Sequence, residues 1–222
     1  MKKGLTFIGF VMDRSGSMGS MAVEASNAFN NFISDQKEVE GEALVTFVEF
    51  DNNYNVVHDA VDINTIVTDP EDDARYQLVP GGTTALLDAI GISINSIGER
   101  LAGMPEEERP EKVIIGIMTD GMENASHEFT RDQIKSMIEK QESEFSWTFM
   151  FFGANQDAFA AGAGLGVAAG NAANFAGTGK GAISAMSNVS RAVTAYRNPT
   201  YDMHQKDNLV QDNADASGET SN

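Results

Sequence analysis

The chain has 222 residues, enough for one α/β domain whose core needs no covalent staples. It contains no cysteine, which excludes disulfides, thiolate zinc sites and cysteine nucleophiles together and fits a cytoplasmic protein. Thirty-three acidic residues against 15 basic ones give a formal net charge of −18, which favours solubility and disfavours nucleic acid or anionic membrane as partners.

Met1-Lys2-Lys3 and the apolar stretch behind it have the outline of a secretion signal. Asp13 and Arg14 interrupt that stretch, so it reads as a first strand. Leu5 to Met12 is apolar for nearly its whole length, as in a strand buried on both faces of a parallel sheet. It runs directly into Asp13-Arg14-Ser15-Gly16-Ser17-Met18, a turn with one carboxylate and two hydroxyls at a strand's C-terminal end. Ligands of open α/β sheets bind at that end, and hard oxygen donors suit Mg²⁺ or Mn²⁺ better than zinc or copper.

Ala22, Ala25, Phe29, Phe32 and Ile33 mark one face of a helix, and Ala43 to Phe50 a second strand. Asp51-Asn52-Asn53 is a turn signal leading to Tyr54 to His58, an antiparallel edge hairpin. A polar stretch around Asp69 to Asp73 precedes Pro80-Gly81-Gly82-Thr83-Thr84, a Gly-rich turn opening a helix with Leu87, Ile90, Ile94, Ile97 and Leu101 on one face. Lys112 to Met118 is the next strand and ends in Thr119-Asp120-Gly121, a second strand-end carboxylate. Thr130-Arg131-Asp132-Gln133 fits a capping box for a helix carrying Ile134, Met137 and Ile138.

Trp147 to Phe152 is the last long strand, and its end, Gly153-Ala154-Asn155-Gln156-Asp157, leads into an Ala/Gly-rich region reaching Gly181. Small residues supply little apolar area, so this region is expected to be comparatively mobile. A final helix carries Met186, Val189, Val193 and Tyr196. The domain is expected over 1–197, with 198–222 a polar, disordered tail. No apolar run is long enough to span a membrane.

Other motifs fail on specific residues. Asn174 and Gly181 stand where a phosphate loop around Lys180 needs Gly and Ser or Thr, and neither Gly162 nor Gly164 begins a complete dinucleotide fingerprint. Asp51, Asn53, Asn55 and Asp62 imitate an EF-hand, but Val56 replaces its essential Gly. His58, His127 and His204 are dispersed, and no serine sits in a Gly-x-Ser-x-Gly elbow.

A lone Asp-x-Ser-x-Ser is ordinarily a solvated turn or helix cap. Three pieces at the ends of the right elements are far more specific: Asp-x-Ser-x-Ser, a Thr after a Gly-rich turn, and Thr-Asp-Gly after a central strand. Together they resemble the von Willebrand factor A family and its metal-ion-dependent adhesion site, the MIDAS, over about Leu5 to Tyr196.

The resemblance implies a doubly wound, mostly parallel α/β sheet with one antiparallel edge strand and helices on both faces. It implies metal ligation by Asp13, Ser15, Ser17, Thr84 and Asp120. Thr84 is preferred to Thr83 because the family places its ligand Thr directly before a segment like Ala85-Leu86-Leu87-Asp88-Ala89-Ile90. By the same resemblance the serines bind the ion directly, Asp13 holds metal-bound water, and Thr84 and Asp120 act directly or through water according to state. Mg²⁺ is the expected ion, with Mn²⁺ and Ca²⁺ as alternatives.

The implied function is non-enzymatic: an adaptor whose partner protein donates an Asp or Glu to the metal. Family members also couple coordination to movement of the helix after the last strand, here Lys180 to Tyr196. The competing readings are a Mg²⁺-dependent phosphohydrolase with Asp13 as nucleophile and a self-assembling structural protein. Haloacid-dehalogenase-like enzymes need a second Asp where this chain has Ser15, which weakens the first of these.

Overall fold

The computed structural model describes residues 1–154 and 157–214. Asn155 and Gln156, and residues 215–222 of the expected tail, lie outside the described residues. The elements are β1 (Lys2–Asp13), α1 (Ala22–Lys37), β2 (Glu42–Phe50), β3 (Tyr54–Asp62), α2 (Leu86–Gly103), β4 (Pro110–Thr119), α3 (Arg131–Phe145), β5 (Thr148–Ala154), α4 (Ala158–Gly164), β6 (Ala172–Phe175), α5 (Gly179–Arg197) and α6 (Leu209–Ala214), with short 3-10 turns between some of them.

Six strands form one sheet in the order β3-β2-β1-β4-β5-β6. All neighbours pair in parallel except β2 and β3, which are antiparallel. From β1 the chain first builds outward through β2 and β3, then returns to place β4 on the other side of β1. The sheet's topological switch point therefore lies between β1 and β4, where a doubly wound sheet opens a crevice at its carboxyl edge.

Two-residue alternation along the central strands feeds two cores. Ile8, Phe10 and Met12 of β1, Ile114 and Met118 of β4, and Met150 and Phe152 of β5 pack toward α1 and α5. Phe7 and Val11, Val113, Ile115 and Ile117, and Phe149 and Phe151 pack toward α2, α3 and α4. On the first face an aromatic cluster includes a stacked Phe29–Phe47 pair with centroids 3.9 Å apart and Tyr76 edge-on to Phe47 at 4.6 Å. Such pairs add to the burial of the rings themselves and fix how α1 sits on the sheet.

Helix α3 starts where its sequence signals. In α3, Thr130 accepts from Gln133 N, and the Gln133 side chain accepts from Thr130 N, so both halves of the capping box are made. The Ala/Gly-rich region is built of regular elements. It forms α4 and the edge strand β6, and Ala158, Gly162, Leu165 and Ala172 are buried in it. Small side chains here let α4 lie close to the sheet: a Cβ on Gly162 would stand 3.2 Å from Ala172 Cβ and 3.5 Å from Phe151 Cβ.

The tail boundary also moves. Residues 198–214 do not leave the domain, because a 3-10 turn (Met203–Asn208) and α6 return along it and bury Leu209 and Val210 in the α1–α5 core. Two adjacent apolar residues in a polar stretch supply that anchor. Among the described residues no helix is long and apolar enough to cross a membrane.

Candidate metal centre

Parallel pairing of β1 with β4 in the register Met12↔Met118 carries the strand ends Asp13 and Thr119 side by side at the switch point. Asp13 is fully buried; its Oδ1 accepts from Ser15 N at 2.7 Å, and its Oδ2 accepts from Thr119 Oγ1 at 2.5 Å. The first of these bonds folds the chain back after β1 and starts the 3-10 turn Gly16–Ser20. That turn sets Ser15 Oγ 3.0 Å from Ser17 Oγ, and Ser17 Oγ donates to Asp120 Oδ1 at 2.7 Å.

The Gly-rich loop is laced to the first turn through backbone. Gly81 N donates to Arg14 O at 2.8 Å and Gly16 N to Gly82 O at 3.2 Å. Gly82 is left-handed (φ +73°), and a Cβ there would run into Asp51 and Asn52, so this close approach requires glycine. The loop delivers a buried Thr84, whereas Thr83 is exposed. A Cβ built on Gly121 would lie 3.0 Å from Thr84 Oγ1, 3.7 Å from Asp13 Oδ2 and 3.7 Å from Ser17 Oγ. Three oxygens from two loops thus face one small volume beside Gly121 of the third, which the missing side chain leaves open.

The electrostatics suit a cation. Burial pushes the Asp13 carboxyl above its usual range, the hydrogen bonds from Thr119 and Ser15 oppose the rise, and the nearby Asp120 charge adds to it. Burial likewise raises Asp120, against the hydrogen bond from Ser17. Neither carboxylate has an ion-pair partner among the described residues. The adjacent Arg14 is committed elsewhere, donating to Asp51 Oδ2 at 2.9 Å and to Glu49 Oε1 at 3.1 Å. No three His, Cys, Asp or Glu side chains gather as a metal-binding group among the described residues, so a cation here would depend on hydroxyls as well as carboxylates.

All five sequence-derived positions therefore lie at one edge of the sheet, and four others support them. Thr119 orients Asp13 and is held by Gly121 N at 3.2 Å. Arg14 and Asp51 brace the first loop, and Ala85 N donates to Asp51 O at 2.9 Å. Asn124 grips Thr84 twice: its Oδ1 accepts from Thr84 N at 3.0 Å, and its N donates to Thr84 O at 3.1 Å. Thr119 was in view as part of the Thr-Asp-Gly motif, but no local signal marks Asn124.

No protein-family model and no curated protein matches the sequence. Solved structures do match in fold. Proximal thread matrix protein 1 from the mussel byssus, in a structure with a zinc-occupied MIDAS motif, is 15% identical with a TM-score of 0.57, over 85% of this chain and 46% of that one. A von Willebrand factor type A protein from Catenulispora acidiphila is 14% identical with a TM-score of 0.57, over 86% and 43%. The pilus adhesin SpaC from Lactobacillus rhamnosus GG is 12% identical with a TM-score of 0.63, over 88% and 31%. The chain spans less than half the length of each of these three proteins, and it has the von Willebrand factor A fold.

Proposed function

We propose that the chain is a non-enzymatic, metal-dependent protein-binding module whose divalent cation is held by Asp13, Ser15, Ser17, Thr84 and Asp120. The observation that carries this reading is the convergence of Thr84 Oγ1, Asp13 Oδ2 and Ser17 Oγ beside Gly121, at a switch point where two buried carboxylates have no ion-pair partner among the described residues. The donor set is all oxygen with a formal charge of two, which matches Mg²⁺ and keeps Mn²⁺ and Ca²⁺ in contention. The zinc in the mussel protein's MIDAS motif puts Zn²⁺ on the same test panel.

When bound, the ion supplies an electrophilic position for a carboxylate oxygen of a partner protein. The chain's own residues fix where that position lies: Thr119 holds Asp13, Asp13 holds Ser15, and Asn124 holds Thr84. Among the described residues the side chains bonded to Asp13 and Asp120 are hydroxyls, a poor set for general acid–base work at neutral pH, which favours binding over phosphohydrolysis.

The direct test is a pull-down with Mg²⁺, with chelator, and with Asp13→Ala. A protein retained with Mg²⁺ and lost in the other two is expected, and equal retention in all three overturns metal-bridged recognition. Asn124→Ala removes one of two bonds on Thr84 without touching a ligand. It is expected to weaken Mg²⁺ affinity about tenfold, as loss of an outer-shell partner does, with the fold intact by circular dichroism. Unchanged affinity in calorimetric titration would show that Thr84 needs no such brace.

A further inference from the structure

Large apolar side chains are exposed at few positions among the described residues, and several of these flank the loops of the proposed metal site. Val79 (68% exposed) precedes the Gly-rich turn, Met122 (74%) follows Asp120 and Gly121, and Val23 (69%) opens α1 just beyond the Asp13–Ser17 turn. Phe159 (41%) stands in the first turn of α4, behind β5, at the same edge of the sheet. Apolar groups gathered at one edge around a polar centre mark a protein-binding surface.

Beside Met122, the one of these four that lines it, a groove of about 380 Å³ opens between the start of α2, the loop after β4, and α4. Leu86, Phe151 and Leu165 are its buried apolar floor, and Met122, Ala160 and Ala161 line it above. It adjoins the site on both sides in sequence, since Leu86 follows Thr84 by two residues and Met122 follows Asp120 by two. Its volume is at the low end of the roughly 300–1,000 Å³ of ligand pockets, right for one large side chain and its neighbours.

The groove's polar groups select the company that side chain keeps. Glu123 is spent internally, accepting from Leu87 N, Ala125 N, Ser126 N and Ser126 Oγ. Asp157 caps α4 by accepting from Ala160 N at 3.0 Å. Arg131 is exposed and makes no hydrogen bond or ion pair among the described residues, so it is the groove's uncommitted cation.

We infer, resting on the metal reading above, that the partner segment carries its metal-seeking carboxylate beside a large apolar residue that enters this groove, and a second acidic residue that meets Arg131. Apolar burial sets the affinity of such a segment, while the ion and Arg131 set its position and direction.

Labelled nonapeptides with one Asp, then Phe, Leu or Ser one to three positions later, then Glu or Gln, test this by fluorescence polarisation on the full chain. With Mg²⁺, a Phe or Leu peptide of one spacing is expected to bind at least about tenfold tighter than its Ser counterpart, since burial of one such side chain exceeds the energy of a tenfold change. Ala160→Trp, a change at an exposed helical position, should fill the groove and erase that preference. Arg131→Glu should erase the preference for Glu over Gln.

Equal binding of Phe, Leu and Ser peptides, a Phe preference that survives Ala160→Trp, or no binding at millimolar peptide each overturns the groove assignment. Chelator separates the two ideas. Loss of all peptide binding in chelator keeps the metal reading whatever the side-chain preference, and a Phe preference untouched by chelator keeps the groove while rejecting the metal as its anchor.

Discussion

Asp13→Asn is expected to abolish the thermal stabilisation conferred by Mg²⁺ while leaving the metal-free protein at least as stable as the wild type. At a Mg²⁺ concentration near 100 times the dissociation constant, binding to the native state alone adds about 2.7 kcal/mol. For a domain of this size that is a rise in Tm of about 5–10 °C. Asp13 supplies one of the two carboxylate charges at the site, and its loss should cost about 100-fold or more in affinity, which removes the rise.

The metal-free protein tolerates the change for a reason visible in its hydrogen bonds. Ser15 N can donate to an amide oxygen as it does to Asp13 Oδ1. The Thr119 hydroxyl, which now donates to Asp13 Oδ2, has a second acceptor in Gly121 O at 3.1 Å, so it can turn to that carbonyl and accept from the new amide. Meanwhile the cost of a buried carboxylate beside Asp120 disappears. A retained Mg²⁺ shift in the variant, or a metal-free Tm several degrees lower, would contradict the assignment of Asp13 as a charge held for a cation.

The layered fold and the positions of the five proposed ligands are legible in the sequence because their signals are local. The apolar runs of β1 and β4 identify central strands, the periodic face of α2 fixes a helix, and each strand-end loop names its own oxygen donors. β6 escapes because Ala172-Ala173-Asn174-Phe175 is short and half built of alanine, so its place is set by pairing with Phe151 to Ala154 rather than by its own pattern. α6 escapes because a six-residue helix anchored by Leu209 and Val210 has no period to read. The roles of Thr119 and Asn124 are equally unreadable, since each depends on a partner 106 or 40 residues away, brought near only by the switch-point topology.

Hydrogen bonds around the candidate site also bear on how the strongly acidic chain would receive the acidic partner proposed above. The net charge of −18 is spread over the surface, and charges beyond about 8 Å are largely screened at physiological ionic strength. Around the candidate site the nearest acids are tied down: Glu49 and Asp51 by Arg14, and Glu123 by the backbone and Ser126 of its own loop. A partner carboxylate would meet the ion at contact distance and the surplus charge only through solvent, so the acidity should slow encounter more than it weakens the bound state.

Arg197→Met is expected to lower Tm by about 6–12 °C without changing the Mg²⁺-induced shift. Arg197 closes α5 and is 5% exposed, with burial lowering its pKa, and it has no ion-pair partner among the described residues. Its guanidinium donates instead to Gln36 O, to Val39 O at 3.3 Å and to Gly41 O at 3.1 Å, the carbonyls that end α1 and lead into β2. Methionine fills the space but leaves those carbonyls unpaired, at about 1–3 kcal/mol each, and only part of that is regained by sparing a buried cation its desolvation. A net loss of about 3 kcal/mol gives the stated fall. The same contacts bear on whether α5 slides when metal binds. Gln36 Nε2 donates to Ser190 O at 3.1 Å and Thr194 Oγ1 at 2.9 Å, Ser190 Oγ donates to Asp35, and Lys112 Nζ donates to Tyr196 O and Asn198 O. Any slide of α5 must break this ladder as a unit, so hydrogen exchange in α5 is expected to be the same with Mg²⁺ and with chelator. Metal-dependent protection there, or an Arg197→Met variant that also loses its Mg²⁺ shift, would show instead that the site and α5 are coupled.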